Sequence, residues 1–206
     1  MLLVIGNKNY SSWSLRAWLA MRVLALPFEE RRVALYTPEA KAEILRHSPA
    51  GKVPILVDGA TTVWDSLAIL EYLAERHSSL WPADPAQRAL ARSISAEMHS
   101  GFPELRTHMS MNVRRRYPGK GRTPAVLAEI ERIQQIFDAA KGPFLFGAFG
   151  AADAMYAPVV LRLRTYAVAM RNREYAEAML ALPALREWIE GAERETESIP
   201  KFDMYE

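Results

Sequence analysis

Residues 51–77 hold a strand, a turn, a second strand and a helix in immediate succession, and this segment constrains the fold more than any other part of the chain. Pro54 stands where the first strand begins, and its missing N–H favours an edge position, a turn or a cis peptide there. The backbone of Val53 is then left unpaired, so we expect it to offer a slot for an extended peptide. The turn falls at Asp58-Gly59, a pair typical of tight hairpins.

The helix in this segment begins at a polar pair, Asp65-Ser66. Directly after the pair comes an apolar pattern with helical spacing, formed by Leu67, Ile69, Leu70 and Leu73. The first turn of a helix has unpaired N–H groups and a positive dipole, which together attract anions. We therefore expect an anion site at this joint, although the pair taken alone is more typical of plain helix capping.

The segments before residue 51 predict a mixed sheet. The apolar run Leu2–Ile5 closes on Gly6 and is typical of a central strand buried on both faces. Because a helical pattern separates it from the next strand, those two strands are predicted to be parallel. The predicted order is βαβαββα, with strands at 2–5, 29–35, 53–57 and 61–64 and helices at 15–23, 38–46 and from 66 onward.

A change of texture after residue 77 marks a domain boundary. Residues 78–85 are rich in Ser and Pro, and every later periodic segment has helical spacing. The sequence predicts one domain over 1–79 and an all-helical domain over 86–206. Half of the residues are apolar, which is enough to form a sizeable core. The predicted helices of the second domain are 86–113, 124–140, 152–170, 174–180 and 183–196.

Two motifs resemble those of the glutathione transferases. Ser48-Pro49-Ala50-Gly51-Lys52-Val53-Pro54-Ile55-Leu56 is similar to the family pattern Asn-Pro-x-Gly-Lys-Val-Pro-x-Leu, and Asp65 to Leu73 matches Glu/Asp-Ser-x-x-Ile-x-x-Tyr-Leu. A third family motif, Ser/Thr-x-x-Asp, stands here as Gly150-Ala151-Ala152-Asp153, where we interpret Asp153 as a structural helix cap. The resemblance implies an α+β protein of two domains, a thioredoxin-like βαβαββα domain followed by a helical bundle.

The resemblance also implies that glutathione binds to the first domain. The backbone of Val53, next to Pro54, would pair with the cysteinyl unit of the tripeptide. Ser66 and the helix start would hold the γ-glutamyl carboxylate, Asp65 would face its amine, and Lys52 either assists at the glycine carboxylate or is solvated. No metal is implied, since the histidines near residue 100 lack a third ligand at a recognised spacing.

The first loop contains the candidate catalytic hydroxyls. Residues 11–16, Ser-Ser-Trp-Ser-Leu-Arg, resemble the Ser-Ser-Cys-Ser-Trp-Arg signature of zeta-class enzymes, and position-by-position matching puts Ser11 on the catalytic serine. Ser12 is the second candidate, and Tyr10 is a rival donor. The chain has no cysteine, so the thiol must come from the ligand. A hydroxyl at a helix N-terminus favours the thiolate over the thiol.

The second substrate is expected between Trp13 and the helices of the second domain. Phe102 and Met109 are the candidate contacts there, and Met98, His99, His108 and Met111 lie nearby in sequence. Methionine and aromatic side chains suit an adaptable apolar site, although ordinary core packing is the alternative. Trp13 replaces the cysteine of the zeta signature, which leaves conjugation and isomerisation both open.

The charge pattern argues against nucleic acid and membrane partners. The net charge is +2, from 26 basic and 24 acidic residues, so neither nucleic acid nor an anionic membrane is expected. The run Arg114-Arg115-Arg116 is interpreted as a solvated helix end. With no signal-peptide pattern and no apolar segment long enough to span a bilayer, we expect a cytoplasmic protein. The resemblance implies a homodimer.

The leading functional hypothesis is conjugation of glutathione to small electrophiles, with the thiolate stabilised by a first-loop serine. A glutathione-dependent isomerase of the maleylacetoacetate type is one alternative, and a non-catalytic ligand-binding protein of the same fold is another. A disulfide or dehydroascorbate reductase is disfavoured, because that chemistry commonly places a cysteine in the first loop.

Overall fold

The first half of the chain has the predicted order of elements. The computed structural model describes residues 1–205. Its first seven elements are β1 (Leu2–Ile5), α1 (Ser12–Val23), β2 (Glu29–Arg32), α2 (Ala40–Leu45), β3 (Ile55–Asp58), β4 (Thr61–Trp64) and α3 (Ser66–Ala74). The βαβαββα order is therefore confirmed. β3 begins two residues later than predicted, and the Val53–Pro54 peptide before it is cis.

The four strands form one mixed sheet in the order β2-β1-β3-β4. β1 runs parallel to β2 and antiparallel to β3, and β3 and β4 form the predicted hairpin. Leu3, Val4 and Ile5 are fully buried, which confirms β1 as a central strand covered on both faces. The loop after β1 thus leaves the middle of the sheet and leads directly into α1.

The second half is helical, with one break that was not predicted. It contains a short 3-10 helix (Ser78–Leu80), α4 (Pro85–Ser100), α5 (Pro103–His108), α6 (Pro124–Asp138), α7 (Ala151–Thr165), α8 (Arg173–Ala181) and α9 (Pro183–Glu193). The prediction of a single helix over 86–113 is wrong. α4 ends at Ser100, and Phe102 takes a left-handed conformation with φ of 58° before Pro103 starts α5.

The basic run is not at a helix end, which corrects that interpretation. Residues 109–123 form an irregular segment after α5. Within it Arg114 donates hydrogen bonds to the carbonyl oxygens of Glu195 and Glu197. This guanidinium therefore fastens the segment that follows α9 instead of facing bulk solvent.

The larger of two apolar clusters in the described residues joins the two halves. α1 packs on α3 in its own half and on α7 and α9 in the other. Trp18 of α1 and Trp188 of α9 are fully buried against each other, with ring centroids 5.2 Å apart. This packing fixes the N-terminus of α1 at the junction of the halves. Within residues 1–205, the helices are all too short or too polar to cross a membrane.

Candidate active site

A cavity of about 990 Å³ lies at the junction of the two halves. Eight of the ten predicted site residues line it, namely Ser11, Ser12, Trp13, Lys52, Val53, Pro54, Asp65 and Ser66. The other half of the chain contributes further wall residues, among them His99, Arg106, Met111, Arg162 and Phe202. The fold therefore brings the first loop, the residues before β3 and the start of α3 to one open cavity.

Phe102 and Met109 are placed elsewhere. Phe102 is 6% exposed and Met109 is fully buried, and both belong to the main apolar core instead of the cavity wall. Of the three residues predicted to contact the second substrate, Trp13 alone lines the cavity, and the assignment of Phe102 and Met109 stays a prediction.

The residues before β3 offer an unpaired backbone. Among residues 1–205, the N–H and C=O of Val53 form no hydrogen bond. Pro54 and Gly51 are buried beside it, whereas the Lys52 side chain is exposed at the rim. An extended peptide lying along Val53 can therefore form a pair of backbone hydrogen bonds, as one more strand does at a sheet edge.

The start of α3 is the second polar wall of the cavity. Asp65 Oδ1 accepts hydrogen bonds from the N–H groups of Leu67 (2.8 Å) and Ala68 (3.3 Å), so the aspartate is the N-cap. Its backbone has a φ of 76°, a conformation that is costly for a residue with a side chain. The N–H of Ser66 has no acceptor within residues 1–205, and it stays available to an anionic ligand.

The first loop presents two serines with different hydrogen bonds. Ser11 Oγ donates to Ser14 Oγ at 2.8 Å, and Ser14 Oγ also accepts from the N–H of Gly6. Ser12 is the first residue of α1, and its Oγ accepts from Nη2 of Arg162 at 3.3 Å. Both side chains are nearly buried at the helix N-terminus, where the dipole favours an anion.

Trp13 is packed against cations. The guanidinium carbons of Arg16 and Arg106 lie 4.3 and 4.9 Å from the centre of its ring. His99 meets the same ring edge-on and places its Nε2 3.3 Å from Asp65 Oδ2. Because an aromatic face attracts cations, the indole holds both guanidinium groups near the cavity.

The site is strongly positive. Burial, followed by the charges of Arg106 and Arg162, holds the pKa of Arg16 well below its usual range. Burial and the charge of Arg106 lower the pKa of Arg162 to about 9, so this group remains protonated at neutral pH. Arg16 donates to Ser66 Oγ at 3.4 Å, which extends the positive field to the start of α3.

The segment after α9 closes one side of the site. Glu195, only 9% exposed, accepts hydrogen bonds from the N–H groups of Lys8 (2.6 Å) and Asn9 (3.0 Å) in the first loop. Phe202 lines the cavity and packs on Tyr10, with ring centroids 5.7 Å apart. The hydroxyl of Tyr10 donates to Asp203 at 2.9 Å, so the rival donor is already engaged.

Sequence reasoning missed Arg106, Arg162 and Phe202. Arg106 follows the unpredicted break after α4, and Phe202 lies beyond the last predicted helix. Arg162 carried one usable signal, because it interrupts the apolar stretch Val159-Val160-Leu161 of a helix that is otherwise buried. A charged residue in a buried helix needs a polar partner, and such residues commonly face a functional site.

Two other features carry no comparable chemistry. Within residues 1–205, no cluster of three or more potential metal ligands is formed. A second cavity of about 590 Å³ lies beside α3 and α4, and two of its charged lining residues, Glu71 and Arg92, pair with each other. Glu71 there accepts hydrogen bonds from the indole of Trp81 and from Arg92.

The comparisons with known proteins cover both halves. Residues 10–76 match the model of the glutathione S-transferase N-terminal domain, and residues 86–191 match the model of its C-terminal domain. A probable maleylacetoacetate isomerase of Caenorhabditis elegans is 40% identical over 100 residues, which are 48% of this chain and 46% of that protein. The chain therefore matches about half the length of that relative.

A longer match and a solved structure extend this similarity. The maleylacetoacetate isomerase of Rattus norvegicus is 27% identical over 193 residues, covering 87% of each chain. A glutathione transferase homolog from Burkholderia, solved with bound glutathione, has a TM-score of 0.71 and 25% identity, covering 94% of this chain and 98% of that one.

Proposed function

Because this chain belongs to the glutathione S-transferase family, we propose that it binds glutathione in the 990 Å³ cavity and joins the glutathione sulfur to a small electrophile. The observation that carries the proposal is the convergence of three ligand-facing features on one cavity. These are the unpaired backbone of Val53, the start of α3 at Ser66, and the first-loop hydroxyls of Ser11 and Ser12. Each suits a different part of the tripeptide.

Glutathione binding follows from the first two features. The cysteinyl unit lies along Val53 next to Pro54, and the γ-glutamyl carboxylate is held by Ser66 and its free N–H, with the Arg16 guanidinium behind the hydroxyl. Asp65 faces the γ-glutamyl amine, and Lys52 at the rim faces the glycine carboxylate. Hydrogen bonds to charged groups contribute about 1.5–3 kcal/mol each, which supports micromolar to millimolar affinity after the ordering costs.

The chemical step follows from the first loop. A free thiol has a pKa near ~8.5, and only the thiolate attacks well. Lowering the pKa of the glutathione thiol by about two units requires about 2.7 kcal/mol of preferential thiolate stabilisation. A hydroxyl at the N-terminus of α1 can supply it. The thiol proton leaves to water, the sulfur lone pair forms the new bond to carbon, and the leaving group departs with its electron pair.

Calorimetric titration with glutathione tests the binding. We expect saturable binding that weakens about tenfold in Ser66→Ala, a loss of about 1.4 kcal/mol. Ser93→Ala is the matched control, because Ser93 is an exposed serine on α4 that bonds only within its helix. A wild-type protein that does not bind glutathione, or an unchanged affinity in Ser66→Ala, would contradict the proposed site.

Glutathione-dependent isomerisation is a second candidate, and the cationic wall favours it. Maleylacetoacetate, named for two of the relatives, carries carboxylates, and Arg106 lines the cavity beside Trp13. In this reaction the thiolate adds to the double bond and is expelled after rotation, so no leaving group is lost. Turnover of maleylacetoacetate alongside an uncharged chloronitrobenzene discriminates the two, since Arg106→Met is expected to slow only the anionic substrate.

We also propose the setting in which this activity operates. The division into residues 1–79 and 86–206 is supported by the separate family matches. A cytoplasmic homodimer with a role in detoxification is proposed by family likeness, with the dimer contact around α3. Trp64, at the end of β4 beside α3, is 45% exposed and is suited to such a contact. Sedimentation of wild type and Trp64→Glu tests it, and a wild-type monomer would contradict it.

A further inference from the structure

Within residues 1–205, Arg162 is a buried cation without a counter-ion. The residue is 4% exposed and lies in the last turn of the buried helix α7. Nε donates to the carbonyl of Met109 at 2.9 Å and Nη2 donates to Ser12 Oγ at 3.3 Å. Nη1 is buried and has no partner within residues 1–205. The cations Arg106 and Arg16 act on its charge, and no carboxylate is found to compensate it in the described part of the chain.

A protonated guanidinium in such a place requires an anion. Removing a charge from water is costly unless an opposite charge or several hydrogen bonds replace the solvent. Arg162 lines the ligand cavity, so an anion delivered by the ligand can fill this place. The γ-glutamyl carboxylate of glutathione is assigned to Ser66, on the other side of Arg16. The anionic group of glutathione at the first loop is then the sulfur of the thiolate.

The two serines differ in whether the hydroxyl proton is already donated in a hydrogen bond. Ser11 has one hydroxyl proton, and it is donated to Ser14 Oγ at 2.8 Å. Ser12 Oγ accepts from Arg162, and a guanidinium has donors only, so this contact leaves the Ser12 proton unused. In the part of the chain that the structure describes, nothing accepts that proton. A hydroxyl whose oxygen faces a cation is also a stronger donor, because the two hydrogen bonds polarise each other.

We propose that Ser12, and not Ser11, donates the hydrogen bond to the glutathione thiolate, and that Arg162 is the positioning residue that orients this hydroxyl and supplies the thiolate's counter-charge. The inference rests on the proposed binding of glutathione. It differs from the motif matching, which assigns the catalytic role to Ser11. Ser12 is the catalytic residue in this scheme, since it touches the reacting sulfur, and Arg162 acts through it.

The two serines form a matched pair for the test. The ultraviolet absorbance of the thiolate, followed against pH with glutathione bound, gives the thiol pKa in each variant. Ser12→Ala is expected to raise that pKa by about one to two units, whereas Ser11→Ala shifts it by less than about half a unit. The opposite order, or equal shifts, would overturn the inference.

Glutathione affinity at a pH where the thiol is protonated separates this inference from the proposed function. Both serine variants are expected to keep wild-type affinity there. If the wild type binds no glutathione, the proposed function fails. If it binds glutathione with a lowered thiol pKa that Ser12→Ala does not change, only the present inference fails.

A double-mutant cycle tests the role of Arg162. Arg162→Gln keeps a donor but removes the charge, and it is expected to raise the thiol pKa less in the Ser12→Ala background than in wild type. Arg164→Gln, two residues along the same helix and outside the cavity wall, is the control. Additive shifts would overturn the positioning role. If Arg162→Gln does not fold, Arg162→Lys replaces it in the cycle. The thiol pKa values of Ser12→Ala and Ser11→Ala still test the assignment of the donor.

Discussion

Helices α3 and α7 both begin with an aspartate in or beside their first turn, yet the two aspartates lie in opposite environments. Asp65 caps α3 with its side chain 41% exposed at the cavity, and its φ is 76°. Asp153 in the first turn of α7 is 1% exposed. Its two oxygens accept hydrogen bonds from the N–H groups of Gly150 (2.9 Å) and Leu145 (3.0 Å).

The difference shows that an aspartate at a helix start has two different roles in this molecule. The buried aspartate satisfies backbone donors that water cannot reach, so it stabilises the junction between α7 and the loop before it. The exposed one caps only part of its helix, holds a strained backbone and leaves the Ser66 N–H for a ligand. Strain of this kind commonly marks functional sites. We expect changes at α7 to affect folding and changes at α3 to affect binding.

Removal of the buried carboxylate has the largest expected effect. Asp153→Ala leaves two buried N–H groups without acceptors, so the free energy of unfolding is expected to fall by about 3–5 kcal/mol at pH 4. Urea denaturation measures it. Glu190→Ala, at an exposed acid on α9, is the control and is expected to stay within about 0.5 kcal/mol. A loss below about 1 kcal/mol in Asp153→Ala would contradict the comparison.

The same carboxyl predicts a pH dependence. Burial raises the pKa of Asp153 from 3.8 to about 7. Between these values the folded state binds more protons than the unfolded state, so this contribution is fully present below about pH 4 and is lost as the pH rises through about 7. Over this pH range the difference in the free energy of unfolding between wild type and Asp153→Ala is expected to shrink by up to about 4 kcal/mol. An advantage that grows with pH would reverse the assignment.

The start of α7 leaves no room for a side chain at Gly150. A Cβ at this position would lie 2.8 Å from the carbonyl oxygen of Leu80. Gly150→Ser is therefore expected to lower the free energy of unfolding by about 1–3 kcal/mol, even though serine restores the usual capping motif. Gly150→Ala introduces the same clash without the hydroxyl and is the matched comparison. A stabilised serine variant in thermal melts would show that the cap outweighs the crowding.

The smallest effect on stability is expected at Asp65. Asp65→Gly removes the cap but also relieves the strain at φ of 76°, and glycine is a tolerable cap residue. The free energy of unfolding is expected to change by less than about 0.5 kcal/mol, while glutathione affinity falls severalfold. Parallel melts and titrations measure both. A large loss of stability would mean that α3 depends on its cap as α7 does.

The elements that the sequence predicts well are those built from contiguous residues. The βαβαββα order, the hairpin at Asp58-Gly59 and the polar joint at Asp65-Ser66 each arise from neighbours along the chain. The break after Ser100 was missed even though Gly101 and Pro103 flank it, because the prediction followed the apolar spacing through residue 113 and the left-handed residue itself is Phe102. The contact from Arg162 to Ser12 joins residues 150 positions apart, and helix phase alone does not reveal such a pairing.

The fastening of the first loop by Glu195 has a consequence for biosynthesis. The amides of Lys8 and Asn9 are formed early in translation, but their acceptor lies 187 and 186 residues further along. At about 5–20 residues per second the ribosome needs roughly 10–40 s to reach it. The nascent first half is therefore expected to complete its sheet and α3 while the serine loop is still unanchored, so catalytic competence comes after folding of the glutathione-binding segment.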